Sequence, residues 1–187
     1  MGTPFFVTAA TGTADLLAAE LLALGIEGAR EVQGGVACEG ELSDAYRACL
    51  ESRLGLRVLW QFARFPVADA AGLYAGVRTV DWQQHLDVDG TLAVDFSGSV
   101  PGITHTQFGA QRVKDAIVDQ FREATGTRPS VDRDSPTVRI NAHAARGGLT
   151  LAIDLSGESL HRRGYRGGQG AAPLKENLAA AILIRAG

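Results

Sequence analysis

Three polar side chains of types that suit nucleic-acid contacts alternate along one short segment of the sequence. Arg139, Asn141 and His143 are separated by single apolar residues, and in a strand this alternation puts all three on one face. A guanidinium can grip phosphate with two hydrogen bonds, and an amide or imidazole can contact phosphate or a base edge. The alternative is a solvated sheet face without a ligand. The segment therefore predicts a nucleic-acid-binding surface or an ordinary polar face of a sheet.

A second pair of basic side chains lies on a predicted helix. Arg112 and Lys114 fall in the first half of the segment 107–125, where helix N-terminal amides could also receive a phosphate. Asp115 and Asp119 follow on the same helix. Local ion pairs on a solvated face are therefore the alternative to phosphate binding.

Further arginines occupy segments for which no core role is predicted. Arg128 and Arg133 flank Pro129 in a predicted loop, although neighbouring acidic residues dilute their charge. Three more arginines belong to a basic, glycine-rich stretch near the C-terminal end. The complete set of candidate nucleic-acid-binding residues is Arg112, Lys114, Arg128, Arg133, Arg139, Asn141, His143, Arg162, Arg163 and Arg166.

Charge is distributed unevenly along the sequence. The net charge is -3, but residues 1–99 carry 6 basic and 13 acidic residues, whereas residues 100–187 carry 12 basic and 8 acidic residues. Basic side chains that neutralise phosphates supply most of the non-specific affinity for nucleic acid. We therefore expect the first part, at -7, to repel a nucleic acid and the second part, at +4, to bind it. Arginine makes up 16 of the 18 basic residues, which a GC-rich genome would also favour.

Residue spacing gives little support to other kinds of chemistry. The histidines, His85, His105, His143 and His161, are too widely spaced for a zinc site. The sequence contains no nucleophile elbow, Walker A loop or calcium-binding loop. The glycine-rich stretch 164–170 follows no predicted strand, which favours an interdomain connection over a dinucleotide site. We predict no metal, no catalytic residue and no cofactor in this chain.

Cysteine usage and hydropathy indicate the compartment. Cys38 and Cys49 both lie in amphipathic segments, which predicts reduced, buried thiols. No apolar run reaches the ~18 residues that a membrane helix requires. These features are typical of a cytoplasmic protein.

The first 65 residues alternate between strand-like and helical patterns. Residues 4–10 predict a buried strand, and leucines from 16 to 24 follow at helical spacing. Gly34 and Gly35 separate two short strand-like pieces, and a helix near 41–52 precedes a strand near 56–65. The order β-α-β-β-α-β predicts a ferredoxin-like domain over residues 1–65.

A second domain is predicted over residues 66–157, with the order α-α-β-α-β-β. Its helices include 107–125, for which Thr104 and Gln107 suggest a capping box. Residues 158–187 are predicted as a linker and a helix. The fold class is thus α+β throughout, and three aromatic residues are predicted to be core residues rather than base-stacking platforms: Trp60, Trp82 and Phe108.

Longer stretches resemble one family. Single motifs such as D-F-S-G are weak, but their order and spacing resemble the N-terminal part of bacterial 23S rRNA guanine-N2 methyltransferases over essentially the whole chain. The stretches include F-V-T-A-A-T-G-T-A-D-L-L, E-V-Q-G-G-V-A-C-E-G, Q-F-G-A-Q-R-V-K-D-A-I-V-D-Q-F, V-D-R-D-S-P-T-V-R-I, L-H-R-R-G-Y-R and A-P-L-K-E-N-L-A-A-A-I-L.

The resemblance implies a ferredoxin-like domain and a THUMP domain that bind RNA. In the family, both present 23S rRNA to an S-adenosylmethionine-dependent methyltransferase domain. The family's D-P-x-C-G-S-G-T and N-P-P-Y motifs have no counterpart in this sequence. The resemblance therefore carries over RNA binding, and this chain alone is expected to be inactive, with S-adenosylmethionine expected only for the parent enzyme.

Three alternatives remain open from the sequence. A THUMP module could serve a tRNA-modifying enzyme, and the chain could instead be a protein-interaction module that contacts ribosomal proteins. A ferredoxin-like hydrolase similar to acylphosphatase is the third, but the loop after the first strand, residues 10–13, offers no arginine for phosphate.

The C-terminal segment has an unusual apolar run. Residues 178–184 are all apolar, and a surface helix should keep a polar stripe facing water. We therefore expect residues from about Gly167 onward to be disordered or docked against a neighbouring molecule.

Overall fold

The computed structural model describes residues 2–164 and 174–187. The chain divides into two compact units. The first comprises Met1–Trp60 with Leu155–Gly187, and the second comprises Gln61–Asp154.

The first unit begins with the β-α-β-β-α-β order that the sequence predicts. Its elements are β1 (Thr3–Thr8), α1 (Ala14–Ala23), β2 (Arg30–Val32), β3 (Gly35–Gly40), α2 (Leu42–Glu51) and β4 (Arg57–Pro66), whose second half lies in the second unit. The strands lie in the order β2-β3-β1-β4, and the three neighbouring pairs are antiparallel. The ferredoxin-like fold class is therefore confirmed.

Alternating apolar residues of the strands and one side of each helix form the core of the first unit. Phe5 and Val7 of β1 are buried against Leu17 and Leu21 of α1. Gly34, at a φ of 85°, makes the tight turn between β2 and β3, a conformation that glycine adopts without steric cost.

The second unit follows the predicted order with two refinements. Its elements are α3 (Ala70–Val77), a 3-10 turn (Trp82–Gln84), β5 (Thr91–Gly98), α4 (Thr106–Thr125), β6 (Ser130–Val131), β7 (Val138–Ala145) and β8 (Gly148–Asp154). The second predicted helix is only the 3-10 turn, and β6 was not predicted. The strand order is β8-β7-β5-β6, in which β5 runs parallel to both its neighbours and β7 and β8 form an antiparallel hairpin.

Helices α3 and α4 cover one face of this sheet. Leu73, Ile117 and Ile140 are fully buried between the helices and the strands. Trp82 is also fully buried and donates its indole N–H to the Val77 carbonyl at 2.9 Å. The core prediction is confirmed for Trp82.

Two local predictions for α4 are wrong. The helix begins at Thr106 after His105, and no side chain caps it, so the predicted capping box is not formed. Phe108 is 43% exposed and is not a core residue. Its position explains this, because it lies about 100° around the helix from Gly109, which faces the sheet.

The chain returns to the first unit after β8. Leu155 donates its backbone N–H to the Val58 carbonyl at 2.9 Å, and Leu160 donates to the Leu56 carbonyl at 2.9 Å. This return extends the first unit by a segment from the far end of the sequence.

The last helix, α5 (Glu176–Ala186), also packs on the first unit. Ala181 is buried in the core of that unit, and the Arg185 guanidinium pairs with Asp15 at 2.8 Å. The expected disorder is therefore wrong for this helix. Ile182 and Leu183 nevertheless remain exposed, so docking of this side against another molecule stays a prediction.

Candidate nucleic-acid interface

A cleft of about 680 Å³ lies within the second unit, between the first half of α4 and the edge of β5. We call it the α4–β5 cleft. Three of the predicted basic residues line it, from a helix, a loop and a strand that are far apart in sequence. The complete lining is Ala93, Val94, Asp95, Phe96, Thr106, Gln107, Ala110, Gln111, Lys114, Val131, Arg133 and Arg139.

A glycine sets the distance between α4 and β5. A Cβ atom added to Gly109 would lie 2.6 Å from the Phe96 ring. Only glycine therefore allows the helix backbone to pass this close to the ring. The contact holds the first half of α4 next to the strand and so fixes the wall of the α4–β5 cleft.

The other wall includes an incompletely paired strand edge. β6 pairs with β5 only at Thr91 and Leu92. Among the described residues, the last backbone hydrogen bond across this edge runs from the Asp132 N–H to the Leu92 carbonyl at 3.2 Å. Because backbone groups of alternate residues point to the same edge of a strand, those of Val94 and Phe96 face the cleft.

Arg139 is held in place by two contacts. Its Nη2 donates to the Arg133 carbonyl at 2.7 Å, and its Nη1 lies 3.4 Å from an Asp95 carboxylate oxygen. Its side chain is only 17% exposed. Arg139 therefore orients the loop that carries Arg133 and contributes positive potential to the cleft, partly offset by Asp95.

The two other cations of the cleft are more available. Lys114 pairs with its neighbour Asp115 but keeps 27% of its side chain exposed. Arg133 is exposed, and its guanidinium has no hydrogen-bond partner within residues 2–164 and 174–187. Both could contact a phosphate that enters the cleft.

Asn141 and His143 lie on the same face of β7 as Arg139, as the alternation predicts. Asn141 is half-buried and His143 is exposed. The His143 ring nitrogen Nδ1 lies 2.8 Å from the Ser97 hydroxyl on the neighbouring strand. The three residues form a polar row that begins at the cleft and extends over roughly 13 Å of strand.

Arg112 and Arg128 do not line the cleft. The Arg112 guanidinium stacks on the Tyr74 ring of α3, 4.8 Å from the ring centroid, because position 112 lies on the opposite side of α4 from Lys114. Arg128 is exposed in the loop after α4.

The C-terminal candidates belong to the first unit. Arg162 pairs with Glu158 at 3.0 Å on the surface. Arg163 donates hydrogen bonds to the carbonyls of Cys49, Leu50 and Ser52 near the end of α2. The structure thus gives Arg163 a structural role, and Arg166 lies outside the described residues.

Several cleft groups were missed by the sequence reading. Gln107 and Gln111 are exposed, and neither amide has a hydrogen-bond partner among the described residues. Their spacing of four residues, followed by Lys114 three residues later, could have indicated a common polar side of α4. The open edge of β5 carried no sequence signal, because it depends on where β6 ends.

The net charges of the two folded units differ from those of the two parts of the sequence. The second unit carries 9 basic and 11 acidic residues, for a net charge of -2, and the first unit carries a net charge of -1. The contrast between the two parts of the sequence therefore does not survive folding. Basic side chains are instead grouped locally, with Lys114, Arg133 and Arg139 lining the α4–β5 cleft beside Asp95, and with Lys114 paired to Asp115.

The described residues show no sign of a metal centre or a membrane-spanning helix. Among residues 2–164 and 174–187, no three His, Cys, Asp or Glu side chains gather as a metal site would require. No helix within those residues has the length and apolar character needed to cross a membrane.

Two domain families match the chain. The RlmL ferredoxin-like domain matches residues 4–59, and the THUMP domain matches residues 67–154. The chain is 57% identical over 182 residues to the ribosomal RNA large subunit methyltransferase K/L of Pseudomonas aeruginosa. That match covers 97% of this chain and 25% of the relative, so the chain spans about a quarter of the relative's length.

Solved structures show the same architecture in longer chains. A predicted N6-adenine-specific DNA methylase from Listeria monocytogenes is similar with a TM-score of 0.82 and 28% identity, over 98% of this chain and 48% of that one. SMU.472, named as a methyltransferase and solved as a complex with SAH, has a TM-score of 0.82 and 27% identity, with the same coverage.

Proposed function

Residues 4–59 belong to the RlmL ferredoxin-like domain family and residues 67–154 to the THUMP domain family, and we propose that this chain binds RNA through the α4–β5 cleft. The observation that carries the proposal is the convergence of Lys114, Arg133 and Arg139 on one cleft of the THUMP domain. These cations come from three separate elements, so their convergence is a property of the fold.

The polar row on β7 supports an extended ligand. Arg139 belongs to both the cleft and the row, and Asn141 and His143 continue from it along the strand. A small anion would need only the cleft. A nucleic-acid backbone can place successive phosphates and sugars along the row, where these side chains can donate hydrogen bonds.

We further propose that the RNA is 23S rRNA and that the parent protein is a cytoplasmic methyltransferase with three parts. The domain boundaries we propose are residues 1–65, 66–157 and a linker with a helix at 158–187 that leads to the catalytic domain. Two properties of the relative from Pseudomonas aeruginosa support this proposal: it is named a ribosomal RNA large subunit methyltransferase, and its sequence is about four times as long as this chain.

S-adenosylmethionine, expected for the parent, does not fit the α4–β5 cleft. Its sulfonium group is a cation and would meet Lys114 and Arg133. Asp95 is the one carboxylate of the lining, and Arg139 already contacts it. We therefore assign no methyl-transfer step to this chain.

The test is binding of the chain to labelled fragments of 23S rRNA, followed by fluorescence anisotropy at several salt concentrations. We expect log K to fall linearly with log salt, because binding releases counterions. Lys114→Ala and Arg133→Ala should each weaken binding by up to about fivefold, the value of an exposed charge pair.

Arg122→Ala is the matched control, because Arg122 lies on α4 outside the cleft and pairs with Asp119. The location is contradicted if the control weakens binding as much as the cleft variants. Salt-independent binding between ~50 and ~200 mM would contradict the electrostatic account. A preference for tRNA over rRNA fragments would redirect the proposal to a tRNA-modifying parent.

A further inference from the structure

The open edge of β5 offers hydrogen-bonding groups that the fold itself does not use. The Val94 carbonyl and the Phe96 N–H point to the same edge and lie next to each other along the strand. In the described part of the chain, neither group has a partner across that edge. An edge of this kind is a template for any ligand with a complementary donor and acceptor.

The surroundings of this edge restrict what can reach it. Phe96 is only 8% exposed and Val94 is half-buried, and both residues line the α4–β5 cleft, which is a recess beside α4. The volume of about 680 Å³ falls within the ~300–1,000 Å³ typical of small-molecule sites. One nucleotide could enter such a recess, whereas paired bases in a duplex are closed off by their partners.

The helix side of the cleft adds groups that suit a base and a phosphate. The amides of Gln107 and Gln111 lie one helical turn apart, both exposed at the cleft. Lys114 follows on the next turn, and Arg133 lies on the loop beyond β6. The cleft therefore combines neutral donor and acceptor groups with cations.

We propose that the α4–β5 cleft binds an unpaired nucleotide of the RNA rather than a base-paired segment. The base hydrogen-bonds to the Val94 carbonyl and the Phe96 N–H, with Gln107 and Gln111 beside it. The adjoining phosphate contacts Lys114 and Arg133. This inference rests on the proposed function and specifies the form of RNA that the cleft accepts.

The backbone contacts make recognition tolerant of base identity. Each RNA base presents an adjacent donor and acceptor on its Watson–Crick edge, and one carbonyl with one N–H can satisfy such a pair. These edge groups are occupied in a duplex. The cleft therefore selects for unpaired bases before it selects for sequence.

A peptide strand added to β5 is the competing occupant of the edge. Beyond the two residues paired with β6, the cleft exposes the edge only from Ala93 to Phe96. Strand addition draws its affinity from a run of main-chain hydrogen bonds, and this segment is short. The cations of the cleft also favour a phosphate-bearing ligand.

The experiment compares a labelled 12-nucleotide RNA without secondary structure with the same RNA annealed to its complement. We expect the full chain to bind the unpaired form at least tenfold more tightly. Gln107→Ala combined with Gln111→Ala should reduce binding of the unpaired form about fivefold or more and leave the duplex unchanged. Gln83→Ala is the matched control, since Gln83 is exposed in the same unit and lies outside the cleft.

A second readout follows the backbone directly. In NMR titrations with the unpaired RNA, the Phe96 amide should shift and exchange more slowly, because its N–H gains an acceptor. Equal affinity for the two RNA forms, or an unchanged Phe96 amide, would overturn the inference. If Lys114→Ala still weakens RNA binding in that case, the proposed function survives without it.

A titration with an extended peptide distinguishes RNA binding from strand docking at the β5 edge. If an extended peptide shifts the Phe96 amide and the unpaired RNA does not, the edge is a strand-docking site and the inference is wrong. If neither ligand shifts it and no RNA binds under any condition, the proposed function fails as well.

Discussion

Arg163 directs its donors at backbone carbonyls near the C-terminal end of α2. Helix ends leave carbonyls without intrahelical partners, and here one guanidinium contacts those of Cys49, Leu50 and Ser52. The same side chain donates Nε to the Leu160 carbonyl at 2.7 Å. It therefore ties the segment after β8 to α2 within the first unit.

We predict that Arg163→Ala destabilises the chain by about 2–3 kcal/mol, because hydrogen bonds from a charged donor are among the stronger ones. Arg163→Lys should recover only part of the loss, since an ammonium cannot reach the same set of carbonyls. Urea unfolding measures both values. Arg162→Ala is the neighbouring control and should cost less than about 1 kcal/mol as an exposed pair. An Arg163→Ala variant as stable as the control would show that these contacts are not needed.

Residue type alone does not determine what an arginine does in this chain. Arg112, Arg133 and Arg163 are chemically identical, yet the first stacks on Tyr74, the second is exposed at a cleft and the third caps a helix. Sequence identified all three as cations. Their partners are distant in sequence, so only the fold distinguishes a binding residue from a structural one.

The packing of α4 on β5 depends on one glycine, Gly109. We predict that Gly109→Ala destabilises the second unit, because overpacking against the Phe96 ring costs about 1–3 kcal/mol. The higher helix propensity of alanine offsets up to about 1 kcal/mol of this. The displacement of α4 should also weaken RNA binding, and thermal unfolding with anisotropy measures both effects.

Gly72 on α3 provides the control substitution for Gly109→Ala. A Cβ atom at Gly72 would meet its nearest neighbour, an Asp69 carboxylate oxygen, at 3.4 Å, so Gly72→Ala should be neutral or stabilising. Adding Phe96→Leu to Gly109→Ala should restore part of the RNA affinity. If Gly109→Ala behaves like Gly72→Ala, the close approach does not define the cleft.

Elements whose apolar residues repeat at a regular spacing could be predicted from the sequence. Elements that form only by pairing with a distant strand could not. The turn between β7 and β8 follows from Arg146 and Gly147, which adopt φ values of 52° and 72° as a two-residue hairpin turn requires. β6 has two residues and no period of its own. Its pairing with β5 depends on the loop after α4, which local sequence does not specify.

The order of segments along the sequence differs from their grouping in the folded chain. The segment after β8 hydrogen-bonds to backbone groups of Leu56 and Val58, about a hundred residues earlier. Its arginines therefore add to the first unit. The fold of each domain could be predicted from periodicity and resemblance. The position of the segment after β8 in the first unit could not be predicted. The grouping of Lys114, Arg133 and Arg139 at one cleft could not be predicted either.

The exposed side of α5 is apolar. Ile182, Leu183 and Ile184 are 52%, 72% and 41% exposed, and contiguous exposed apolar side chains favour association with another surface. We expect the chain to self-associate as its concentration rises. Ile182→Glu combined with Leu183→Glu should suppress this, because each carboxylate would lose hydration in a contact.

Sedimentation velocity over a range of concentrations measures the association, and Leu50→Glu on α2 is the control. Leu50 is 74% exposed, so it tests whether any exposed leucine has the same effect. RNA binding should be unchanged in the α5 variant, because the α4–β5 cleft is built entirely from residues of the second unit. If the chain stays monomeric throughout, or if Leu50→Glu alone suppresses association, then α5 is not the associating surface. In that case α5 packs on the first unit through Ala181, and its exposed isoleucine and leucine side chains remain in contact with water.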